Sequence, residues 1–164
     1  MMKTLLIMRH AKSSWSNSCL SDHERPLNGR GKRDAPRMGH LLKNEEMVPD
    51  LIISSTAERA LTTAEMTALA CDFAGEMQIT HRFYHAGPAT YLELLSGVAD
   101  QFEQVMVVGH NPGMAELVAY LTGYKTRFTT ANIAHVELPI NSWADLNEET
   151  GGKLCNLWRP KEID

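Results

Sequence analysis

The chain is poor in the features that mark several common classes of protein. Its three cysteines, Cys19, Cys71 and Cys155, lie far apart and form no pair of the metal-binding or redox type. Free thiols suit a reducing compartment, so we expect a cytoplasmic protein. No apolar run approaches the roughly 20 residues that cross a bilayer, and the N-terminus lacks a signal-peptide pattern. We therefore expect neither a disulfide scaffold nor a membrane partner.

Positive charge is also scarce. Sixteen Lys and Arg stand against 20 Asp and Glu, which gives a formal net charge of −4 at pH 7. A nucleic-acid binder usually presents a basic face, so we expect no nucleic-acid partner. The 164 residues, with 43% hydrophobic and 22% charged, suit one globular domain over residues 1–164. The sequence carries no signal of oligomeric state.

Short apolar runs alternate with segments of helical periodicity along most of the chain. Strands are predicted over residues 5–8, 51–53, 77–80, 105–108, 128–138 (irregular) and 154–158. Helices are predicted after Asn28 and over residues 57–73, 91–102 and 114–121; the first either begins near Pro36 or bends there. This alternation predicts an α/β fold: a single three-layer domain with a mostly parallel central sheet and helices on both faces.

Cationic and imidazole side chains follow three of the predicted strands. Arg9 and His10 follow the first strand, and His110 follows the strand over residues 105–108. Arg59 lies in the first turn of the helix after the second strand, where a cation opposes the helix dipole unless an anion lies nearby. The carboxyl ends of parallel strands share one edge, where ligands bind. We predict that these four residues form a phosphoryl-binding pocket.

Five blocks of sequence, in order, resemble the signatures of the histidine phosphatase superfamily. The block MRHAKS at 8–13 resembles its Arg-His-Gly signature, and SSTAERALTTA at 54–64 resembles its Ser-x-x-x-Arg-Ala-x-x-Thr-Ala block. GHNP at 109–112 resembles its second histidine block, and RPL at 25–27 with Gly31 resembles its Arg-x-Leu-x-x-x-Gly segment. FTTA at 128–131 resembles a late segment of the SixA-like phosphohistidine phosphatase branch. The resemblance implies a phosphoglycerate-mutase-like fold.

The resemblance also implies a role for each catalytic candidate. His10 would be the nucleophile that accepts the phosphoryl group, and Arg9 and Arg59 would bind phosphate oxygens. His110 would donate to the transferring group or steady the charged intermediate, and water would then hydrolyse the phosphohistidine. Because arginines supply the positive charge, we expect no metal and no cofactor.

The loop after His10 departs from the family pattern in two places. Ala11 stands where the family usually has glycine. An asparagine often lies six positions after the nucleophile; Ser16 is there, and Asn17 comes one later. We predict Ser13, Asn17 and Arg25 as substrate-binding residues, with the alternative that Arg25 pairs with a neighbouring carboxylate.

The third strand is not followed by the acid that ester-cleaving members usually carry. Residues 82–88 read RFYHAGP, and the first carboxylate is Glu93. An alkoxide leaving group needs a proton, whereas the imidazole of a phosphohistidine departs more easily. The lack of a carboxylate here favours P–N cleavage or a small set of activated substrates, with His85, Glu93 or water left open as the proton source. Thr129 and Thr130 could also approach the site.

The sequence thus predicts a metal-independent phosphatase that removes phosphoryl groups from phosphohistidine in proteins. One alternative is a phosphomonoesterase acting on a small phosphorylated metabolite. A mutase is less favoured because the chain lacks long insertions to build a sugar-phosphate pocket. A non-catalytic phosphohistidine-binding module is disfavoured by His10, since binding alone needs only the arginines.

Overall fold

The computed structural model describes residues 2–163 and is built on one six-stranded sheet. Its strands are β1 (Lys3–Arg9), β2 (Leu51–Ser55), β3 (Glu76–Thr80), β4 (Gln104–Gly109), β5 (Ile133–Leu138) and β6 (Lys153–Trp158). Their order in the sheet is β3-β2-β4-β1-β5-β6. The first four of these are mutually parallel, β5 runs antiparallel to β1, and β6 runs antiparallel to β5. The predicted mostly parallel sheet is confirmed.

Helices cover both faces of the sheet. They are α1 (Gly29–Asn44), α2 (Glu58–Ala70), α3 (Pro88–Ser96) and α4 (Gly113–Thr122). Alternate residues of a strand face opposite sides. Leu6 and Met8 of β1 therefore pack in the cluster that includes α1 and α2, whereas Leu5 and Ile7 pack with α3 and α4. The three-layer prediction is confirmed. None of the helices within residues 2–163 has the length and apolar character to cross a membrane.

The predicted helices are all present, but their bounds differ: α2, predicted over residues 57–73, is Glu58–Ala70, and α4, predicted over 114–121, is Gly113–Thr122. The first helix begins at Gly29, where the Asn28 side chain accepts a hydrogen bond from the amide of Gly31 at 2.9 Å, and it continues through Pro36. The helix α3 begins at Pro88 and ends at Ser96, earlier than the predicted 91–102. Proline suits the first turn of a helix because its missing N–H has no partner there in any case.

The strand β5 and several connecting segments also differ from the predicted secondary structure. The strand β5 begins only at Ile133, because residues 128–132 form a turn in which Ala131 has a φ of 62°. Single turns of 3-10 helix occupy Asp22–Glu24, His81–Phe83, Trp143–Asp145 and Pro160–Glu162. The segment 81–90 thus contains one of these turns and the start of α3.

The sheet register places the two histidine-bearing strand ends side by side. Arg9 at the end of β1 pairs with Gly109 at the end of β4, and the amide of His10 donates to the carbonyl oxygen of Gly109 at 3.0 Å. The neighbouring strand β2 leads into α2, which begins at Glu58. The elements that carry His10, Arg59 and His110 consequently meet at one edge of the sheet.

Candidate active site

A pocket of about 520 Å3 opens at this edge of the sheet. All four residues predicted to be catalytic, Arg9, His10, Arg59 and His110, line it. His10, Arg59 and His110 are each at most 6% exposed. The structure therefore brings together the four residues that were predicted to form one pocket.

His10 has the geometry of a neutral nucleophile. Its Nδ1 lies 2.7 Å from the carbonyl oxygen of Ala11. Since a carbonyl can only accept, Nδ1 carries the proton and Nε2 keeps its lone pair. Burial lowers the pKa of His10 to about 3, and the positive charges of Arg9 and Arg59 act in the same direction. The imidazole is therefore uncharged at neutral pH, with a free lone pair on Nε2, as nucleophilic attack requires.

The main chain of Ala11 fixes the orientation of the nucleophile. Its amide donates to Thr63 Oγ1 on α2 at 2.9 Å, while its carbonyl holds His10. Ala11 is fully buried and is not one of the residues with positive φ. Alanine consequently fits where the family usually has glycine, because this backbone conformation is open to any L-residue.

His110 stands beside His10, with 5.1 Å between the ring centroids. Its Nε2 lies 2.9 Å from the hydroxyl of Ser55, which also accepts from the amide of Ala57 at 3.2 Å. The hydroxyl of Ser55 has a proton available for Nε2, and in that arrangement the neutral ring carries its own proton on Nδ1. Burial, followed by the charge of Arg59, lowers the pKa of His110 to about 3. Sequence reasoning missed Ser55, although it lies in the block that identified Arg59.

Three buried donors around the nucleophile have no partner. They are Nε of Arg9, Nε of Arg59 and Nδ1 of His110; within residues 2–163 the other buried side-chain polar atom without a hydrogen bond is Nδ2 of Asn132. A buried, unpaired donor costs on the order of 1–3 kcal/mol. Three such donors on residues that line one pocket indicate a site built for an anion with several oxygens.

Asp22 joins the arginines and was not predicted as a site residue. Its carboxylate accepts from Nη2 of Arg59 at 3.0 Å and from Nε of Arg25 at 3.1 Å, and its carbonyl accepts from Nη1 of Arg59 at 2.6 Å. The hydroxyl of Tyr84 donates to the same carboxylate at 2.5 Å. The Tyr84 hydrogen bond, and then Arg59, hold the pKa of Asp22 far below its usual range. Asp22 is therefore ionised and orients the arginines.

Two of the three predicted substrate-binding residues reach the pocket. Ser13 and Arg25 both line it, and Nη1 of Arg25 donates to Ser13 Oγ at 2.7 Å. Arg25 also stacks on Trp15, 3.4 Å from the ring centroid, and Trp15 is 73% exposed at the rim. Asn17 does not line the pocket, because its exposed side chain turns back to accept from the amide of Cys19 at 3.0 Å. The predicted contact from Asn17 is absent in this conformation.

Of the two threonines in the FTTA block at 128–131, one lines the pocket and the other does not. Thr130 lines the pocket, whereas the Thr129 hydroxyl donates to Asn132 Oδ1 at 2.9 Å and does not line it. The turn that contains them also closes on the nucleophile, since the amide of Ala131 lies 3.0 Å from the carbonyl oxygen of His10. The late block thus supports the pocket mainly through its backbone.

Of the two side chains considered as proton donors, one lies in the pocket. His85 lines it, with a φ of 59° and its ring centroid 3.9 Å from that of Tyr84. Glu93 lies on α3 outside the pocket and forms an ion pair with Arg82 at 3.0 Å. Among residues 2–163, the pocket lining consequently contains one carboxylate, Asp22, and that carboxylate is already paired.

Comparison with known proteins agrees with this geometry. The model of the histidine phosphatase superfamily (branch 1) matches residues 5–84. An uncharacterized protein of Mycobacterium tuberculosis is 32% identical over 150 residues, which cover 85% of this chain and 91% of that protein. The SixA protein of Agrobacterium tumefaciens, described as a phosphohistidine phosphatase, is 26% identical with a TM-score of 0.83, covering 98% of this chain and 99% of that one.

A more distant structure shares the fold. The mycobacterial glucosyl-3-phosphoglycerate phosphatase is 15% identical, with a TM-score of 0.69 over 94% of this chain and 98% of that one. The family match, the curated relative and the arrangement of two arginines and two histidines at one sheet edge agree with each other. This chain belongs to the histidine phosphatase superfamily.

Proposed function

We propose that this protein is a phosphatase that takes the phosphoryl group from phosphohistidine in proteins and passes it to water through His10. The observation that carries the proposal is the set of three unpartnered buried donors, on Arg9, Arg59 and His110, around a neutral imidazole. Membership in the superfamily supports phosphatase chemistry. The positive charge comes from arginines, so the proposed reaction needs no metal.

The first transfer uses the lone pair on Nε2 of His10. Nε2 forms a bond to phosphorus while the P–N bond of the substrate breaks, and the leaving imidazole takes a proton from solvent or from the pocket. The unpartnered donors hold the three equatorial oxygens as negative charge spreads over them. As His10 gains its bond to phosphorus, its Nδ1–H remains held by the carbonyl of Ala11. Water then attacks phosphorus from the side that the leaving group vacated, and the bond between phosphorus and Nε2 breaks. Nε2 recovers its lone pair, and inorganic phosphate leaves with the proton of the attacking water passed to phosphate or to solvent.

The lack of an available carboxylic acid supports a P–N substrate. Asp22 is ionised and paired with two arginines, and Glu93 is turned toward Arg82. An alkoxide leaving group depends on general-acid help worth typically 10²–10⁴-fold, whereas imidazole is a far less basic leaving group. The pocket is therefore better suited to phosphohistidine than to an alkyl phosphate.

The rim of the pocket supports a protein substrate. Trp15 stands exposed there, stacked on Arg25, and offers an aromatic surface beside the phosphate site. Exposed aromatic side chains backed by an arginine are typical anchors in protein interfaces. The similarity to SixA of Agrobacterium tumefaciens favours the same substrate class. The three free cysteines suit a cytoplasmic protein acting on a cytoplasmic partner.

A parallel assay tests this proposal. Wild type, His10→Ala and the control His40→Ala, which removes an exposed histidine of α1, are assayed on a phosphohistidine peptide and on p-nitrophenyl phosphate and simple alkyl phosphates. We expect wild type and His40→Ala to prefer the P–N substrate, and His10→Ala to lose at least 10³-fold in kcat, as for an essential nucleophile. Turnover of alkyl phosphates without turnover of the phosphohistidine peptide would overturn the proposed substrate class. Full activity of His10→Ala would overturn the mechanism.

Trapping the intermediate separates an enzyme from a binding module. Rapid acid-free quenching with radiolabelled substrate should leave an acid-labile, base-stable label on wild type and none on His10→Ala. Tight binding of the phosphopeptide with no label and no turnover would make the protein a phosphohistidine-binding module.

The second candidate function is a phosphomonoesterase for a small metabolite, and His85 favours it. This imidazole lines the pocket near His110 and can protonate a leaving oxygen. The fold is shared with a phosphatase whose substrate is a phosphorylated glycerate. Under this alternative, His85→Ala loses ester hydrolysis at least tenfold more than hydrolysis of phosphohistidine.

A further inference from the structure

A second group of reactive side chains lies outside the active-site pocket, on the two antiparallel strands at the other end of the sheet. His135 and Glu137 lie on β5, and Cys155 lies on the edge strand β6. None of the three lines the pocket around His10. We propose that His135, Glu137 and Cys155 form a binding site for a zinc-type divalent cation.

A β-bulge places the cysteine in this group. His135 and Glu137 are two residues apart on one strand and so face the same side of the sheet. His135 pairs with Asn156 and Val136 pairs with Leu154, which leaves Cys155 as an extra residue on β6. A bulge of this kind re-aims a side chain that the regular ladder would direct elsewhere. The thiol is thereby brought to the two ligands on the facing strand.

The distances fit a cation with little rearrangement. One ligand atom from each of the three residues lies within 4.8 Å of the other two; within residues 2–163 this is the one such group of three. Bonds to Zn²⁺ of about 2.0–2.3 Å in a tetrahedron place neighbouring ligand atoms about 3.3–3.8 Å apart. Side-chain shifts of about 1 Å therefore close the site. A fourth position remains for water or a partner's ligand.

The donor set selects the kind of metal. Magnesium and calcium prefer sites made wholly of oxygen. A thiolate and an imidazole beside one carboxylate suit zinc and its spectroscopic substitute cobalt. The thiolate and Glu137 together balance the two charges of the cation. Burial, followed by Glu137, raises the pKa of the Cys155 thiol, so binding displaces a proton.

Neighbouring groups hold the imidazole in place. Nδ1 of His135 lies 3.0 Å from the side-chain amide of Asn156, and its ring stacks on Trp158 with 5.8 Å between centroids and 12° between planes. Such outer contacts fix the orientation of a metal-binding histidine. Cys155 is 18 positions from Glu137 and 20 from His135 along the chain, so sequence spacing gave no sign of the group.

Titration with Co²⁺ tests the site without reference to the phosphatase activity. Wild-type protein should develop a thiolate-to-cobalt charge-transfer band with intense tetrahedral d–d bands, and one equivalent of Zn²⁺ should abolish both. The active-site imidazoles offer no thiol, so the charge-transfer band reports a cysteine. Cys155→Ser should remove this band, whereas the matched control Cys19→Ser, which removes an exposed thiol elsewhere, should retain it.

A second variant guards against a merely structural effect. Glu137→Gln keeps the shape of the side chain and should weaken cobalt affinity at least tenfold while leaving the far-UV circular dichroism spectrum unchanged. A wild-type protein with no thiolate–cobalt band, or a band that survives in Cys155→Ser, overturns the proposal. So does cobalt affinity that is the same in Glu137→Gln and wild type.

Discussion

Acidification should destabilise this protein in a way that depends on its two active-site imidazoles. Burial lowers the pKa of both His10 and His110 from 6.5 to about 3. Between about pH 3 and pH 6.5, these two histidines therefore bind protons in the unfolded chain but remain neutral in the folded protein. Because the folded pKa lies below the unfolded one, the stabilisation is complete above pH 6.5 and is lost as the pH falls toward 3.

The size of the effect follows from this difference in pKa. At pH 5.5, one unit below the unfolded value, about ten of every eleven unfolded chains carry the proton on a given histidine. Each of the two imidazoles then removes about 1.4 kcal/mol from the free energy of unfolding. The pair removes about 3 kcal/mol between pH 7.5 and pH 5.5, which is a large fraction of the stability of an ordinary domain.

Urea unfolding at the two pH values measures this loss. His10→Asn cannot titrate in this range, so its loss on acidification should be smaller than that of wild type by about 1.4 kcal/mol. His40→Asn, which removes an exposed imidazole from α1, controls for the loss of a histidine as such. If His10→Asn loses as much stability as wild type on acidification, burial does not lower the pKa of His10. The inference that His10 is a neutral nucleophile because of its burial is then refuted.

Three further substitutions test the anion-binding arginines and the contacts that support the pocket. Arg59→Lys removes the buried Nε donor and should weaken tungstate binding about 10–100-fold by calorimetry. Tyr84→Phe removes one donor to Asp22 and so loosens the arginines; KM should rise more than kcat falls, and an unchanged KM contradicts this role. Gly31→Ala places a Cβ against the main chain of the loop after the nucleophile and should cost about 1–3 kcal/mol of stability, whereas Gly29→Ala, with open space around it, should not lower Tm.

The sequence was informative wherever a buried strand fixed the position of the residue after it. Arg9 is the last residue of β1, and His10 and His110 directly follow β1 and β4, whose central residues are buried, so their places at the sheet edge could be predicted from apolar runs alone. Arg59 was found from its unusual position in the first turn of a helix. The α/β layers followed from the same alternation of patterns.

The missed parts depend on contacts that have no local pattern. Asp22 lies in a polar loop without periodicity, and its partner Arg59 is 37 residues away. Asn17 was chosen by its spacing from the nucleophile, but the loop turns outward and its side chain bonds to its own backbone neighbourhood. Cys155 reaches the facing strand only because of an irregularity in pairing. These features are set by tertiary geometry, which a single sequence does not reveal.

One turn of α2 holds two parts of the active site. Arg59 projects from the start of this turn, and Thr63, four residues later, accepts the amide of Ala11 and donates to the carbonyl of Arg59 at 2.7 Å. A displacement of α2 would therefore move Arg59 together with the hydroxyl that anchors Ala11. The same turn thus ties the position of Arg59 to that of the backbone that orients His10.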